Sequence, residues 1–262
     1  MIRAAELAGE RLKRDFSRPD LLEVREKSAS DFVSSADLAS QEILKRELAA
    51  AFPDHAILAE EDGLHEIAPG TPRFYVDPLD GTTNFVHGIP HFAVAIAEEV
   101  AGEVVAGVVL SPAAGELFWA EKGGGAFVGD RRLRVSREQQ LSRAVIGTGI
   151  PHHGGRHHAQ YLRALDGFMR EVAGVRRLGA AALDLAWVAA GRFEAFFEIG
   201  LKPWDVAAGT LFVREAGGVV TRIGGGPTGL ADGDILATAG GALHGAMSER
   251  LGPLHGVASA RS

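Results

Sequence analysis

Apolar positions recur along this chain at two spacings, and they predict alternating helices and strands. Residues 3–16 place Ala4, Leu7, Ala8 and Leu12 on one helical face, and Pro19 ends any continuation. Leu21 to Ser35 is polar and reads as irregular. A second helix is expected from about Asp37, at its N-cap, to Phe52, with Leu44, Leu48, Ala51 and Phe52 as its stripe and Pro53 as its stop. Ala56–Ala59 and Phe74–Val76 read as short buried strands. Further strands follow at Phe92–Ala97, Val104–Leu110 and Glu116–Ala120, rich in β-branched and aromatic residues. Gly123–Gly125 reads as a turn.

In the second half, Val145–Thr148 predicts a strand. His157–Val172 predicts a helix with Tyr161, Leu165, Phe168 and Met169 on one side. Helices over Ala180–Gly191, Asp205–Ala216 and His244–Leu251 alternate with strands at Glu194–Glu198, Val219–Thr221 and Asp234–Thr238. Asp205 occupies an N-cap place. No internal repeat or long linker divides the chain. The fold class is therefore α/β (α+β), a layered domain over 1–262 with lobes of about 1–140 and 141–262.

Composition narrows the possible roles. The 262 residues suffice for a real core, and 46% of them are hydrophobic. Lys plus Arg is 27 and Asp plus Glu is 34, a formal charge of −7, which argues against a nucleic-acid surface as the main business. There are no cysteines, so disulfides, thiolate nucleophiles and zinc–sulfur sites are excluded. The N-terminus carries Glu6, Glu10 and Asp15 and has no apolar core of a signal peptide. No apolar run approaches the length of a membrane span. A cytoplasmic protein is expected.

The chemistry concentrates in Asp77-Pro78-Leu79-Asp80-Gly81-Thr82-Thr83-Asn84-Phe85. Pro78 presets a β-turn, so Asp77 and Asp80 are expected to flank it with the Leu79 carbonyl between them. Two carboxylates and a carbonyl are hard oxygen donors of the kind that suit Mg²⁺. A helix starting at Gly81 or Thr82 would turn free N–H groups toward an anion. Glu60-Glu61-Asp62 ends another predicted strand, so its carboxylates would meet those of Asp77 and Asp80 in one crevice. The His-rich stretch from Pro151 to His158 matches no standard zinc spacing and reads as a loop. His87 and His91 are assigned no catalytic role, and Trp119 and Trp187 read as core or interface aromatics.

Asp77–Phe85 resembles the first signature of the inositol monophosphatase family. Trp204-Asp205-Val206-Ala207-Ala208-Gly209, followed by Glu215-Ala216-Gly217-Gly218, resembles its second, and Glu60-Glu61 and Ser35-Ala36-Asp37 fall in the expected order. The resemblance spans about Leu12 to Leu251. It implies an αβαβα sandwich of the sugar-phosphatase type, a homodimer, and two or three Mg²⁺ per site with sensitivity to Li⁺. It implies Glu60, Asp77, Asp80, Asp205 and the Leu79 carbonyl as metal ligands. Gly81 and Thr82 match amides that hold phosphate, and Asp37 and Thr82 match the pair that activates water. Lys27 matches a residue of a mobile loop. Glu198 and the backbone near Ala181 match contacts to substrate hydroxyls, beside Asp205. Ala180 stands where the family often has Thr, which removes a hydroxyl near the substrate.

The expected reaction is hydrolysis of a small polyol phosphate, foremost myo-inositol 1-phosphate, by in-line attack of a metal-activated water without a phosphoenzyme. Fructose-1,6-bisphosphate, histidinol phosphate and adenosine 3′,5′-bisphosphate are competing substrates, the last two disfavoured by Thr83-Asn84-Phe85. A regulatory protein-binding role with secondary catalysis is the alternative from another class.

Overall fold

The computed structural model describes residues 1–18, 22–28, 31–151 and 157–254, with backbone alone for 26–28, 31 and 32. Seven helices and fourteen strands are described: α1 (Ile2–Phe16), β1 (Val24–Ser28), β2 (Asp31–Ser34), α2 (Ser35–Ala51), β3 (Ala56–Ala59), β4 (Arg73–Asp80), α3 (Thr82–Val86), β5 (Ala93–Val100), β6 (Glu103–Ser111), β7 (Glu116–Glu121), β8 (Gly125–Val128), β9 (Arg131–Arg132), β10 (Val145–Thr148), α4 (His158–Glu171), β11 (Gly174–Arg176), α5 (Ala181–Ala189), β12 (Ala195–Ile199), α6 (Pro203–Glu215), β13 (Val219–Thr221), β14 (Asp234–Thr238) and α7 (Gly241–Arg250).

One sheet runs β3-β4-β5-β6-β7-β8-β9, a second runs β11-β10-β12-β14-β13, and β1 and β2 pair alone. In the first sheet β3 and β4 are parallel and every later pair is antiparallel. The strand period of two sorts side chains to opposite faces. Phe74, Val76, Val94 and Ile96 point outward and join Ala5, Ala8 and Leu12 of α1 and Leu44 and Leu48 of α2. Tyr75, Ala93, Ala95 and Ala97 point inward to α5 and α6. On the second sheet Phe196, Ile235 and Ala237 meet those same two helices, whereas Ala195, Phe197 and Leu236 meet α4 and α7. The layers are thus α1/α2, seven strands, α5/α6, five strands and α4/α7, the αβαβα sandwich.

The central helices lie close because their contact residues are small. A Cβ on Gly209 of α6 would stand 2.4 Å from the Leu185 Cβ of α5. This close approach sets the two helix N-termini side by side at one end of the sandwich.

The structure corrects several sequence expectations. Leu21–Ser35 is not wholly irregular, since it contains the β1–β2 pairing. Strands β8, β9 and β11 are too short or too polar to give a pattern. Leu7 and Met169 face solvent, whereas Ala5 and Ala164 are buried. Asp37 and Asp205 are not N-caps: α2 is capped by Ser34, and α6 begins at Pro203, so both acids sit in the third helical position. Most of the His-rich stretch, residues 152–156, lies outside the described residues, as does the side chain of Lys27.

Candidate active site

The first wall of the site is a strand rather than a turn. β4 runs through Asp80, and its register on β5 slips from Asp77↔Ala95 to Asp80↔Ala93, so three steps on one strand oppose two on the other. A bulge tolerates Pro78, which has no N–H for the ladder, and re-aims the flanking side chains. The bulge is pinned on both sides. Ser40 Oγ donates to the Pro78 carbonyl at 2.7 Å, and the Leu79 N–H donates to Asp77 Oδ1 at 2.9 Å. Gly81 follows with φ +88°, and a Cβ there would lie 3.0 Å from the His91 carbonyl oxygen. Both conformation and space thus require glycine. Helix α3 starts at Thr82, as expected.

Behind this wall, Thr82 Oγ1 lies 2.8 Å from Asp37 Oδ1 and 3.0 Å from the Leu79 carbonyl oxygen. Asp37 is fully buried, and its other oxygen accepts from the Ser34 N–H at 2.8 Å and the Ser34 hydroxyl at 2.6 Å. Burial raises its pKa, and the Ser34 and Thr82 hydrogen bonds oppose that rise. The structure therefore joins Asp37 and Thr82, 45 residues apart in sequence, as one hydrogen-bonded pair.

Four carboxylates from three elements share a field beside that pair. Glu60 opens the 3-10 turn after β3, Asp77 and Asp80 come from β4, and Asp205 comes from α6. Asp77 is raised well above the usual carboxylate range, first by burial and then by the charges of Glu60, Asp80 and Asp205. Asp205 is raised by burial and by Glu60 and Asp80, although its carboxylate accepts the Lys202 N–H at 2.7 Å. Burial pushes Asp80 up to about 7, with further upward pressure from Asp184 and Glu60. Among the described residues, no three His, Asp or Glu side chains are drawn as close as the ligands of a finished metal cage. The donor set nonetheless fits a divalent cation: hard oxygens, largely buried, destabilised by one another's charge.

The N-terminus of α5 completes the enclosure. Asp80 Oδ2 accepts from the Ala182 N–H at 2.8 Å and Oδ1 from the Ala181 N–H at 3.2 Å. The Ala181 amide expected at substrate hydroxyls is therefore directed at Asp80. The helix N-cap is Ala180, which offers no side-chain acceptor, so a carboxylate 100 residues earlier does the capping. On the other side Glu198, at the end of β12, is pushed up to about 8, first by burial and then by Asp184 and Asp205, with Arg177 opposing.

Sequence reasoning passed over several of these residues. Asp184 is buried in α5, with Oδ1 3.8 Å from His91 Nε2, and neither atom has a hydrogen-bond partner. Its signal was a lone acid in an Ala-rich apolar helix. Ser34 and Ser40 gave no signal beyond being polar at a helix start and on an inward face.

The comparisons with known proteins show the family. A model of the Inositol monophosphatase family matches residues 1–253. The "Inositol-1-monophosphatase" of Mesorhizobium japonicum is 52% identical over 237 residues, covering 90% of this chain and 89% of that one. The "Nus factor SuhB" of Pseudomonas aeruginosa is 46% identical over 240 residues, covering 90% and 89%. The solved structure of the extragenic suppressor protein suhB from Bartonella henselae superposes with a TM-score of 0.91 at 47% identity, covering 96% of each chain. With residues 1–253 matched by the family model and relatives of about half identity over nine-tenths of its length, the chain belongs to the inositol monophosphatase family and is a phosphoric monoester hydrolase.

Proposed function

We propose that this phosphatase hydrolyses a small polyol phosphate, foremost myo-inositol 1-phosphate, with Mg²⁺ as its cofactor. The observation that carries the reading is that buried Asp77 and Asp80 and partly buried Glu60 and Asp205 share one field beside the Asp37–Thr82 pair. Phosphoryl transfer needs negative charge neutralised and a water deprotonated and aligned. Mg²⁺ ions, two or three per site, would be held by the four carboxylates and the Leu79 carbonyl, and would supply the positive charge that the site itself lacks. Thr82 Oγ1 hydrogen-bonds the attacking water, and Asp37 takes up the proton through Thr82, to which it is already hydrogen-bonded. The backbone amides of Gly81 and Thr82 hold the phosphate. Glu198 receives substrate hydroxyls, with Asp205 beside it. Attack is in line, with no phosphoenzyme, and inhibition by Li⁺ belongs to the same reading.

A cytoplasmic homodimer is part of this proposal. Leu162 and Met169, 60% and 67% exposed on α4, supply an apolar face for a second copy. No helix among the described residues is long and apolar enough to cross a membrane. The relatives named Nus factor SuhB favour a second reading, a protein-binding regulatory role alongside catalysis.

Phosphate release from a substrate panel, with Mg²⁺ and with EDTA, tests the proposal. Turnover of myo-inositol 1-phosphate above fructose-1,6-bisphosphate, and only with Mg²⁺, is expected. A preference for another substrate would overturn the inositol assignment, and no turnover on any member would favour the regulatory role.

A further inference from the structure

Glu198 has an unusual seat. Strands β10 and β12 are parallel, with Thr148 opposite Phe197, so the next residues, Gly149 and Glu198, lie side by side at the open end of the second sheet. Gly149 is buried, and a Cβ built on it would stand 1.9 Å from both the Cδ and an Oε of Glu198, and 2.4 Å from the other Oε. The carboxylate therefore lies directly on the bare Cα of Gly149. The φ of Gly149 is not in the left-handed region, so the glycine is required for space and not for backbone conformation.

The seat is also anchored from behind. The Tyr161 hydroxyl, from the inner face of α4, donates to the Gly149 carbonyl and meets the Thr148 hydroxyl. Thr148 Oγ1 lies 2.9 Å from the Phe197 carbonyl oxygen and 3.0 Å from that of Gly149. Thr148 is 0% and Tyr161 2% exposed. This network ties the end of β10 to β12 one residue before Glu198. Two buried hydroxyls thus fix the backbone on which the carboxylate rests.

We infer that Gly149, anchored by Tyr161, is a positioning residue for substrate specificity: it leaves the space that lets Glu198 reach the hydroxyls of a polyol phosphate. The inference rests on the reading of Glu198 given above. It makes a separable prediction because the clashing atoms are the far end of one flexible side chain and not backbone. A methyl at Gly149 can be accommodated by swinging the Glu198 carboxylate away, with the strand left in place. The fold and the phosphate wall, which belongs to the other sheet, stay intact while the hydroxyl contact is lost.

The test compares myo-inositol 1-phosphate with p-nitrophenyl phosphate, which has no polyol hydroxyls, in wild type, Gly149→Ala, Glu198→Gln and the double variant. Gly149→Ala is expected to lower kcat/KM for the polyol substrate about tenfold, mainly through KM, the scale of one hydrogen bond to a charged group. Its kcat/KM for the aryl phosphate should stay within about twofold. Added to Glu198→Gln, the same change should cost nothing more. Equal losses on both substrates, or full additivity in the double variant, would overturn the inference. A silent Gly149→Ala beside a damaging Glu198→Gln would overturn the seat but leave the Glu198 reading standing. A silent Glu198→Gln would remove that reading and the seat with it. If Gly149→Ala does not fold, Tyr161→Phe, which adds no atom, decides: a raised KM for the polyol alone supports the inference, and an unchanged KM overturns it.

Discussion

The two sheets contribute to the site in different ways. The first presents an almost continuous stretch: Asp77, Leu79, Asp80, Gly81 and Thr82 follow one another through a bulge into a short helix. Its parts are held by local hydrogen bonds and by Ser40 from α2. The other half presents isolated residues, Glu198 from a strand of the second sheet and Asp205 and Ala181 from the starts of the two central helices. These are brought together only by packing. The continuous wall suits chemistry common to every phosphate monoester, in which small misplacements are costly. At Glu198 the assembled wall suits recognition, since that position can change without disturbing the phosphate wall, whereas Asp205 belongs to the carboxylate field. Asp80 joins the two, because its carboxylate caps the helix that carries Ala181.

Breaking that joint should have the largest effect. Asp80→Asn removes a charge from the carboxylate field and leaves one amide acceptor where two N–H groups arrive. Phosphate release should fall below detection, and the lost cap should cost about 1 kcal/mol in a denaturation experiment. Near-normal turnover with Mg²⁺ would place the reaction elsewhere. Asp37→Asn leaves the carboxylate field in place but removes the proposed proton acceptor behind Thr82. Its kcat should drop by about 10²–10⁴ with KM little changed. A change confined to KM would assign Asp37 to binding instead.

The pH dependence of stability sharpens the electrostatic side. Asp80 and Glu198 are raised to about 7 and about 8, mainly by burial. Carboxylates in an unfolded chain titrate near 4, so between these values the folded state binds more protons. The stabilisation is present below the unfolded pKa and is lost as pH rises through the folded one. In EDTA, Tm should therefore fall between about pH 5 and pH 8.5, and Asp80→Asn should flatten the slope. A Tm that is constant or rises over that window would contradict the buried-carboxylate account. The smallest effect is expected at Ser40→Ala, which leaves the Pro78 carbonyl without its hydrogen bond at the bulge. About 1 kcal/mol, or roughly 2–4 °C in Tm, should be lost.

The contrast between the walls also explains what the sequence could reveal. Asp77 to Phe85 was legible because its chemistry is contiguous, and Asp205 because Trp204 and the following helix form a second contiguous signature. The apolar runs disclosed most strands of the two sheets but not β8, β9 or β11, and the division into two sheets came with the family resemblance. The bulge was not legible: Pro78 and two Asp read equally well as a turn, and only pairing with β5 decides. Nor could the capping of α5 by Asp80 be seen, since it spans 101 and 102 residues in sequence. The N-cap expectation at Asp37 and Asp205 failed for a local reason. Both acids reach back to an N–H three residues earlier, a role that a sequence shares between two helical positions. The seat of Glu198 on Gly149 was invisible because a glycine required for space has no pattern of its own.

The claim beneath all of this is that the carboxylates of both walls hold divalent cations together. Calorimetric titration of Mg²⁺ into EDTA-stripped protein, in wild type, Asp77→Asn and Asp205→Asn, tests it most directly. Saturable binding in wild type, weakened by a substitution in either wall, is the result expected. Unchanged Mg²⁺ binding in both variants would contradict it.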